Sequence, residues 1–395
     1  MRKVLIITGV FPPEPVTSAN MNFDLAMALS EKYEVTVVHP KPTRPEGVVY
    51  KPNEENYPFK CITVDSYTYP KSSPIGRMRE SISFGRISAQ FLKGHHYDFD
   101  FVYNDGWQLF GLYIVAKVCT KYKIPYIVPI QDIYPECFFT NRKVPAIMSG
   151  MVNALIKPID RYYQKNAYKV RTISDEMADY LSSTRQIDRD RYLVTDNWQN
   201  DEDFTAEPIP SGKLIFGYVG SINNHSNTEL LIKAFDKAAL KDAELRIFGM
   251  GNRRERCEEL AKSMGNDNIV FDSVAKSEVP KVQSQCSVLV LALPKGNGGL
   301  CLPSKMSSYL LSGRPVIASI DKDSATCRYI NESGAGFCIE PDDIDALANT
   351  FKNISMMSKE ELQQMGDKSR KFADLRLTRK ANLTKLCNEI NKIIQ

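Results

Sequence analysis

Histidine and tryptophan are scarce in this chain of 395 residues, which holds four histidines (His39, His95, His96, His225) and two tryptophans (Trp107, Trp198). So few imidazoles argue against a histidine-rich metal site. No apolar run approaches the roughly 20 residues needed to span a bilayer. Excess charge of one sign is missing too: Lys and Arg number 51 against 47 Asp and Glu, a formal net charge of +4. A dedicated nucleic-acid binder carries a strongly basic domain, so that class is excluded. The nine cysteines (Cys61, Cys119, Cys137, Cys257, Cys286, Cys301, Cys327, Cys338, Cys387) are odd in number, scattered, and without a CxxC pair. They read as small buried hydrophobes in a reducing compartment rather than a disulfide frame or zinc site. The N-terminal run Val4-Leu5-Ile6-Ile7 is broken by Thr8-Gly9 and stopped by Pro12-Pro13, too early for a signal peptide. The expectation is a cytoplasmic chain whose membrane contact, if any, is peripheral.

Familiar catalytic signatures are also missing. No Walker A loop, complete GxGxxG, HExxH or GxSxG follows a candidate strand; Gly249-Met250-Gly251 comes nearest, with Arg254 in the third glycine's place. P-loop phosphotransfer and nicotinamide-dependent redox chemistry are therefore poor readings.

What is present is globular: 43% hydrophobic and 25% charged residues, on a length that suits two domains. Short β-rich apolar runs alternate with helical patterns, the signature of parallel sheets built from βαβ units. In the first half the candidate strands are 3–8, 34–39, 60–65, 100–103, 125–130 and 168–173. After the acidic, then Pro- and Gly-rich stretch DEDFTAEPIPSGK the order restarts, with strands at 214–219, 244–248, 268–271, 287–291 and 315–318. The two openings are alike, KVLIITGVFPPEPVTSANMNFDLAMALS and KLIFGYVGSINNHSNTELLIKAF, each a strand, a Gly- or Pro-rich turn and a helix. Helices at 342–353, 359–372 and 378–394 close the chain. We read two Rossmann-like, doubly wound parallel-sheet domains, residues 1–200 and 214–377, joined by a linker at 201–213. The final helix, 378–395, crosses back to the first domain. Such sheets hold ligands at the carboxyl ends of their strands, so a site between the domains is expected.

The most informative segment is 293–318, LPKGNGGLCLPSKMSSYLLSGRPVIA. A loop with Gly296, Gly298 and Gly299 leads into a helix opening at Pro303-Ser304-Lys305 and ending at Gly313. A glycine loop before a helix N-terminus lets backbone approach a ligand and aims free N–H groups at an anion such as a diphosphate. Ser304 adds a hydroxyl and Lys305 a cation. An ordinary capped helix with a C-terminal glycine is the competing structural reading.

Together with VLIITGVFPPEP, TISDEMADYL, DNWQNDEDF, FGYVGSI and ELRIFGMGNRRE, the run LPSKMSSYLLSGRPVIAS gives the chain its resemblance, in order and along nearly its whole length, to a retaining family-4 glycosyltransferase of the GT-B fold, in the bacterial surface-polysaccharide branch. The resemblance implies transfer of a hexosyl, N-acetylhexosaminyl or deoxyhexosyl group from a UDP- or GDP-sugar, with retention and without a metal or other cofactor. It implies a donor held by the second domain and a saccharide acceptor held by the first, in capsule, O-antigen or exopolysaccharide synthesis. Donor-side positions carried over are Gly220, Ser221, Gly249, Val274, Gly298, Gly299, Leu300, Ser304, Lys305 and Ser308. Two departures stand out. The paired glutamates of many members fall here at Leu300 and Ser308, and the basic residue that follows the glycine turn is absent from Gly220-Ser221-Ile222-Asn223. Lys305 thereby becomes the first candidate for diphosphate charge, with Ser308 left to meet the ribose. Arg253 and Arg254, which open another helix at a strand's carboxyl end, are held in reserve for that charge, with a solvated surface role as the competing and preferred reading. A GT-B nucleotide-sugar 2-epimerase and a non-catalytic sugar-nucleotide binding protein remain the alternatives.

In the first domain Ile130-Gln131-Asp132-Ile133-Tyr134-Pro135-Glu136 lies just past a strand's carboxyl end, where a carboxylate could bind a sugar hydroxyl or take its proton. The resemblance makes Asp132 the acceptor-side catalytic residue, with Glu136 second; a loop aspartate capping the next turn is the competing reading. Asn104-Asp105-Gly106-Trp107 ends the previous strand in the same way, and a turn with an apolar anchor explains it equally well.

Split by halves, residues 1–200 hold 25 basic against 21 acidic residues, and 201–395 hold 26 against 26. Between 137 and 171 seven basic residues (Arg142, Lys143, Lys157, Arg161, Lys165, Lys169, Arg171) face the single acid Asp160, interleaved with apolar side chains. That pattern suits an anionic membrane surface, and a polyprenyl-diphosphate-linked acceptor would follow from it; a solvated helix face is the plainer reading.

Overall fold

The computed structural model describes all residues except 45, 51–55, 70–72, 140–144, 199, 225 and 297–301. The chain divides into two compact units, Met1–Asn197 with Asn382–Gln395, and Trp198–Ala381.

The first unit is a seven-stranded parallel sheet of β1 (Lys3–Thr8), β2 (Glu34–Pro40), β3 (Lys60–Val64), β4 (Phe101–Asp105), β5 (Tyr126–Pro129), β6 (Lys169–Thr172) and β7 (Tyr192–Val194). Between them run α1 (Thr17–Ser30), α2 (Pro74–Gly94), α3 (Phe110–Tyr122), α4 (Glu136–Phe139), α5 (Ala146–Asn166) and α6 (Asp175–Arg185). A sheet covered on both faces needs strands that are apolar throughout. Val4, Leu5, Ile6 and Ile7 accordingly have no exposed surface. The order β3-β2-β1-β4-β5-β6-β7 reverses direction between β1 and β4, and a crevice opens where such an order reverses, beyond the strands' carboxyl ends.

The second unit repeats the plan with six parallel strands in the order β10-β9-β8-β11-β12-β13. They are β8 (Leu214–Val219), β9 (Ala243–Phe248), β10 (Ile269–Asp272), β11 (Val288–Ala292), β12 (Val316–Ser319) and β13 (Gly336–Ile339). The helices are α7 (Thr228–Ala238), α8 (Arg254–Met264), α9 (Val279–Ser284), α10 (Ser304–Leu311), α11 (Ala325–Ser333), α12 (Ile344–Ser355) and α13 (Lys359–Arg376). Strand alternation splits the core in two. Phe216 and Tyr218 of β8 join one apolar cluster, where the rings of Phe216 and Phe351 meet edge to face at 4.8 Å, while Val219 joins the other.

The last helix, α14 (Arg379–Ile394), carries the chain back into the first unit from Asn382 onward. Asn382 accepts the Asp196 N–H at 2.8 Å and Asn391 accepts the Tyr33 hydroxyl at 2.7 Å. No helix among the described residues is long and apolar enough to cross a membrane. The eight described cysteines are free thiols, but Cys61 stands exposed on the edge strand β3, against the expectation that the cysteines are buried.

Candidate functional site

In the second unit the reversal of strand order falls between β8 and β11, and glycines clear the ground there. Gly220 follows β8 with φ +149°, donating its N–H to the Phe248 carbonyl at 2.9 Å. Gly249, after β9, sits so close that a Cβ there would stand 2.0 Å from the Gly220 oxygen; at Gly251 it would stand 2.0 Å from the Ile222 oxygen. Backbone packed this tightly on itself admits only glycine.

Lys305 comes from the first turn of α10 and crosses this turn. Its ammonium lies 4.1 Å from the centre of the Tyr218 ring and donates to the Tyr218 hydroxyl, which in turn donates to the Ser221 carbonyl at 2.6 Å. Tyr309, one turn further along α10 and fully buried, accepts the Val219 N–H at 2.9 Å and so fixes α10 against the end of β8. Burial pushes the Lys305 pKa down to about 8. Among the described residues no carboxylate pairs with this ammonium. Pro303 precedes the helix and, among the described residues, offers no side-chain cap to its first turn; the leading N–H groups of a helix are anion donors.

The other donor-side candidates fall in different places. Ser304 and Ser221 are exposed, and Val274 is half-buried beside the second core cluster. Ser308, expected to face a ligand, is turned into the wall: 5% exposed, it donates to the Lys305 carbonyl at 2.9 Å and accepts from the Gln283 amide at 3.1 Å. Gly298, Gly299 and Leu300 lie outside the described residues. Arg254, read from sequence as solvated, is a latch instead. Its guanidinium donates to the carbonyls of Gly249 and Asp272, each at 2.7 Å, and ties the ends of β9 and β10 together.

In the first unit a cavity of about 540 Å³ opens beyond β4 and β5. Its lining includes Trp107, Gln108, Leu109 and Phe110 after β4, Asp132 and Tyr134 after β5, Arg77 and Met78 from α2, and Ile156 from α5. Asp132 keeps contact with water, yet the cavity walls desolvate its carboxyl and raise its pKa above the ordinary carboxylate value. The Tyr134 phenol is pushed up to about 12 by burial and by the Asp132 charge, with Arg77 opposing. The cavity thus brings Asp132, Tyr134 and Arg77 into one electrostatic group. Leu109 adopts φ +64°, a strained conformation for leucine. Ser81 holds that turn, accepting the Gly111 N–H at 2.8 Å and donating to the Gln108 carbonyl at 2.8 Å.

Glu136 is separated from Asp132 in function. Both its oxygens take bonds from Arg185 at 2.9 Å, and Arg185, 1% exposed, also donates to Asp160 at 2.5 Å and to the Tyr134 carbonyl at 2.8 Å. Burial raises the Glu136 pKa, but the Arg185 bonds and charge outweigh it and hold it below the usual value. Glu136 therefore braces the loop that presents Asp132. Nothing in the sequence marked Arg185, at the end of α6, as the third member of that brace.

Sequence reasoning also missed the packing behind Trp107. Its ring lies against Gly9, where a Cβ would come within 3.0 Å, and under the Arg44 guanidinium at 4.4 Å. Arg44 pairs with buried Glu80 at 2.6 Å. Buried Glu14 accepts the backbone N–H groups of Thr43 and Arg44 at 2.6 and 3.1 Å, so the Pro12-Pro13-Glu14 turn faces inward. Asp105, at the end of β4, accepts from Asn22 at 2.6 Å; burial pushes it up to about 7 against the pull of Asn22 and Arg171.

Comparisons with known proteins agree with this architecture. Residues 199–372 match the family model for Glycosyl transferases group 1. The Pseudomonas aeruginosa protein described as probable glycosyltransferase WbjE is 22% identical over 246 residues, a match covering 58% of this chain and 59% of that protein. Anabaena Alr3699/HepE, solved with UDP and with UDP-glucose, superposes with a TM-score of 0.71 in the UDP complex at 12% identity, covering 99% of this chain and 100% of that one. WaaG, a glycosyltransferase involved in lipopolysaccharide biosynthesis, gives 0.64 at 15% identity, with 99% of each chain covered. Two parallel-sheet Rossmann-like units give the chain the GT-B architecture of its structural neighbours, and its residues 199–372 resemble the glycosyl transferases group 1 family.

Proposed function

We propose that this protein is a retaining, metal-independent glycosyltransferase that moves a sugar from a nucleotide-sugar to a saccharide in surface-polysaccharide synthesis. One observation carries the reading: Lys305 holds a half-buried, desolvated ammonium, with no carboxylate partner among the described residues, against a glycine turn and beside a helix start that no described side chain caps. A buried cation without a counterion is costly, and a diphosphate supplies the missing charge. The leaving nucleoside diphosphate is then stabilised by Lys305 and the first N–H groups of α10, an electrostatic contribution that grows as the sugar–oxygen bond breaks. Ser304 adds a hydroxyl donor at the same helix start. With Ser308 turned inward, the ribose is left to groups near Ser221 and Val274. HepE was solved with UDP and UDP-glucose, so UDP-glucose is the first donor to test.

The first unit takes the acceptor. Its hydroxyl bonds to the Asp132 carboxylate, with Tyr134 and Arg77 shaping the field, and transfer delivers the sugar to the face from which the diphosphate leaves. The cavity's apolar walls, from Met78 to Ile156, and the exposed Ile75 at its lining suit an acceptor with a hydrophobic part, such as a polyprenyl-diphosphate-linked saccharide. The basic surplus of this half supports work at an anionic membrane face.

Thermal unfolding with UDP, UDP-glucose and GDP-mannose tests the donor. A ligand at 100 times its Kd stabilises the native state by about 2.7 kcal/mol, and Lys305→Ala removes that shift. A shift retained in Lys305→Ala would overturn the assignment. Proton NMR of the product reports the anomeric configuration, and an inverted product would remove retention.

A further inference from the structure

The first unit holds a second concavity that the transfer reading leaves unused. It has a volume of about 550 Å³ and lies along α5, facing α6. Every charged side chain in its lining is basic: Lys157, Arg161, Lys165 and Arg185. The first three recur every four residues, one above another on a single helix face, spanning about 12 Å at 1.5 Å rise per residue. Arg185 is neutralised beneath them by Glu136 and Asp160, and Lys157 shares Glu136 at 3.6 Å. Arg161 bonds only to the neutral Gln186 amide, at 3.3 Å, and no carboxylate pairs with Arg161 or Lys165 among the described residues. Asn153, Asn166 and Thr184 complete the wall with polar groups. The same helix exposes Met151 and Leu155, at 62% and 70%, next to the groove.

We propose that this groove is a phosphate-recognition site for the headgroup of an anionic lipid, with Arg161 and Lys165 contacting the phosphate and Met151 and Leu155 entering the acyl boundary. The inference deepens the membrane reading above and rests on it. Where that reading needs only an excess of positive charge, the groove adds a defined seat: two uncompensated cations one helical turn apart, beside two exposed apolar side chains. α5 carries Ile156 in the acceptor cavity and Lys157 in the groove. Consecutive residues of one helix thus serve a lipid headgroup and an acceptor.

The test is co-sedimentation of the full chain with phosphatidylcholine vesicles, with and without phosphatidylglycerol, at low and high salt. The wild-type chain should bind the phosphatidylglycerol vesicles and lose them in high salt. Arg161→Ala and Lys165→Ala should each weaken binding about fivefold, the effect of about 1 kcal/mol per basic residue at an anionic surface. Both side chains are exposed, so the fold is not at stake. Lys93→Ala, an exposed lysine at the end of α2 outside the groove, should leave binding unchanged. Failure of the wild type to bind removes the membrane reading and the groove together. Equal losses at Lys93 and Arg161 remove the groove alone. If inorganic phosphate at matching concentration strips the protein from the vesicles, the ligand is a free phosphate and the lipid assignment falls. The donor-induced thermal shift is scored separately, so none of these results bears on transfer.

Discussion

The side chain of Lys305 lies directly across Gly220: a Cβ at that glycine would stand 2.0 Å from the lysine's Cε. A strand-end turn and a helix start more than eighty residues apart are therefore one structural object, and each can be tested through the other.

Gly220→Ala should damage nucleotide binding by displacing Lys305. The φ of +149° is also hard for alanine, so strain and overpacking together cost about 1–3 kcal/mol. Calorimetry should show a lower Tm and a smaller UDP-induced shift. An alanine variant with both values unchanged would separate the glycine from the lysine.

Replacing Lys305 by methionine should abolish the UDP-induced shift while raising the Tm of the ligand-free protein, by about 2–4 °C for each kcal/mol of desolvation relieved. The pH dependence has opposite signs for binding and for stability. The folded ammonium loses its proton near pH 8, so UDP affinity should fall up to about tenfold per unit above that. The unfolded lysine keeps its proton to about pH 10.4, so between these values the unfolded chain binds more protons and Lys305 makes stability rise with pH. Methionine should remove both slopes.

Asp132→Asn and Glu136→Gln should fail in different ways. The first should cut transfer by roughly 10²–10⁴ with little change in Tm. The second removes one of the two carboxylates that neutralise Arg185, leaving Asp160 as its partner, and losing that charged hydrogen bond costs about 1.5–3 kcal/mol. In the wild type, transfer should fade on acidification at a higher pH than an ordinary solvated aspartate would impose, because burial raises the Asp132 pKa. Steady-state rates from pH 4 to pH 8 beside urea unfolding check both outcomes.

Asp105 should make the first unit less stable as pH rises. Its folded pKa near 7 lies above an unfolded value of about 3.9, so its contribution is full below pH 4 and is lost as pH passes through 7. Asp105→Asn should flatten that part of the urea-midpoint profile. An unchanged profile would show that other groups set it.

Much of this was legible where punctuation was strong. Helix α10 was expected at 304–311 because Pro303 opens it and Gly313 follows, and β1 and β8 announced themselves as unbroken apolar runs. The weak elements escaped. Strand β7 has only three residues, and β13 has only four and follows the short nine-residue helix α11. Helix α3 starts only at Phe110, because the residue at 109 takes a positive φ that leucine's chemistry does not advertise. At the site, Lys305 and Asp132 stood out by chemistry and position. Their supports did not: Tyr218, Tyr309 and Arg185 act through contacts dozens of residues away and Arg254 through carbonyls 5 and 18 residues away, and nothing local distinguishes such a tyrosine or arginine from a surface one.

The return of α14 has a consequence for how the chain is made. The second unit is contiguous, Trp198–Ala381, and can close as soon as that stretch leaves the ribosome. The first unit, though synthesised first, lacks Leu386, Ile390 and the anchor Asn382 until the final helix arrives. The unit begun earliest is completed last, and a ribosome that stops short of that helix releases a finished second unit attached to a first unit with its core still open.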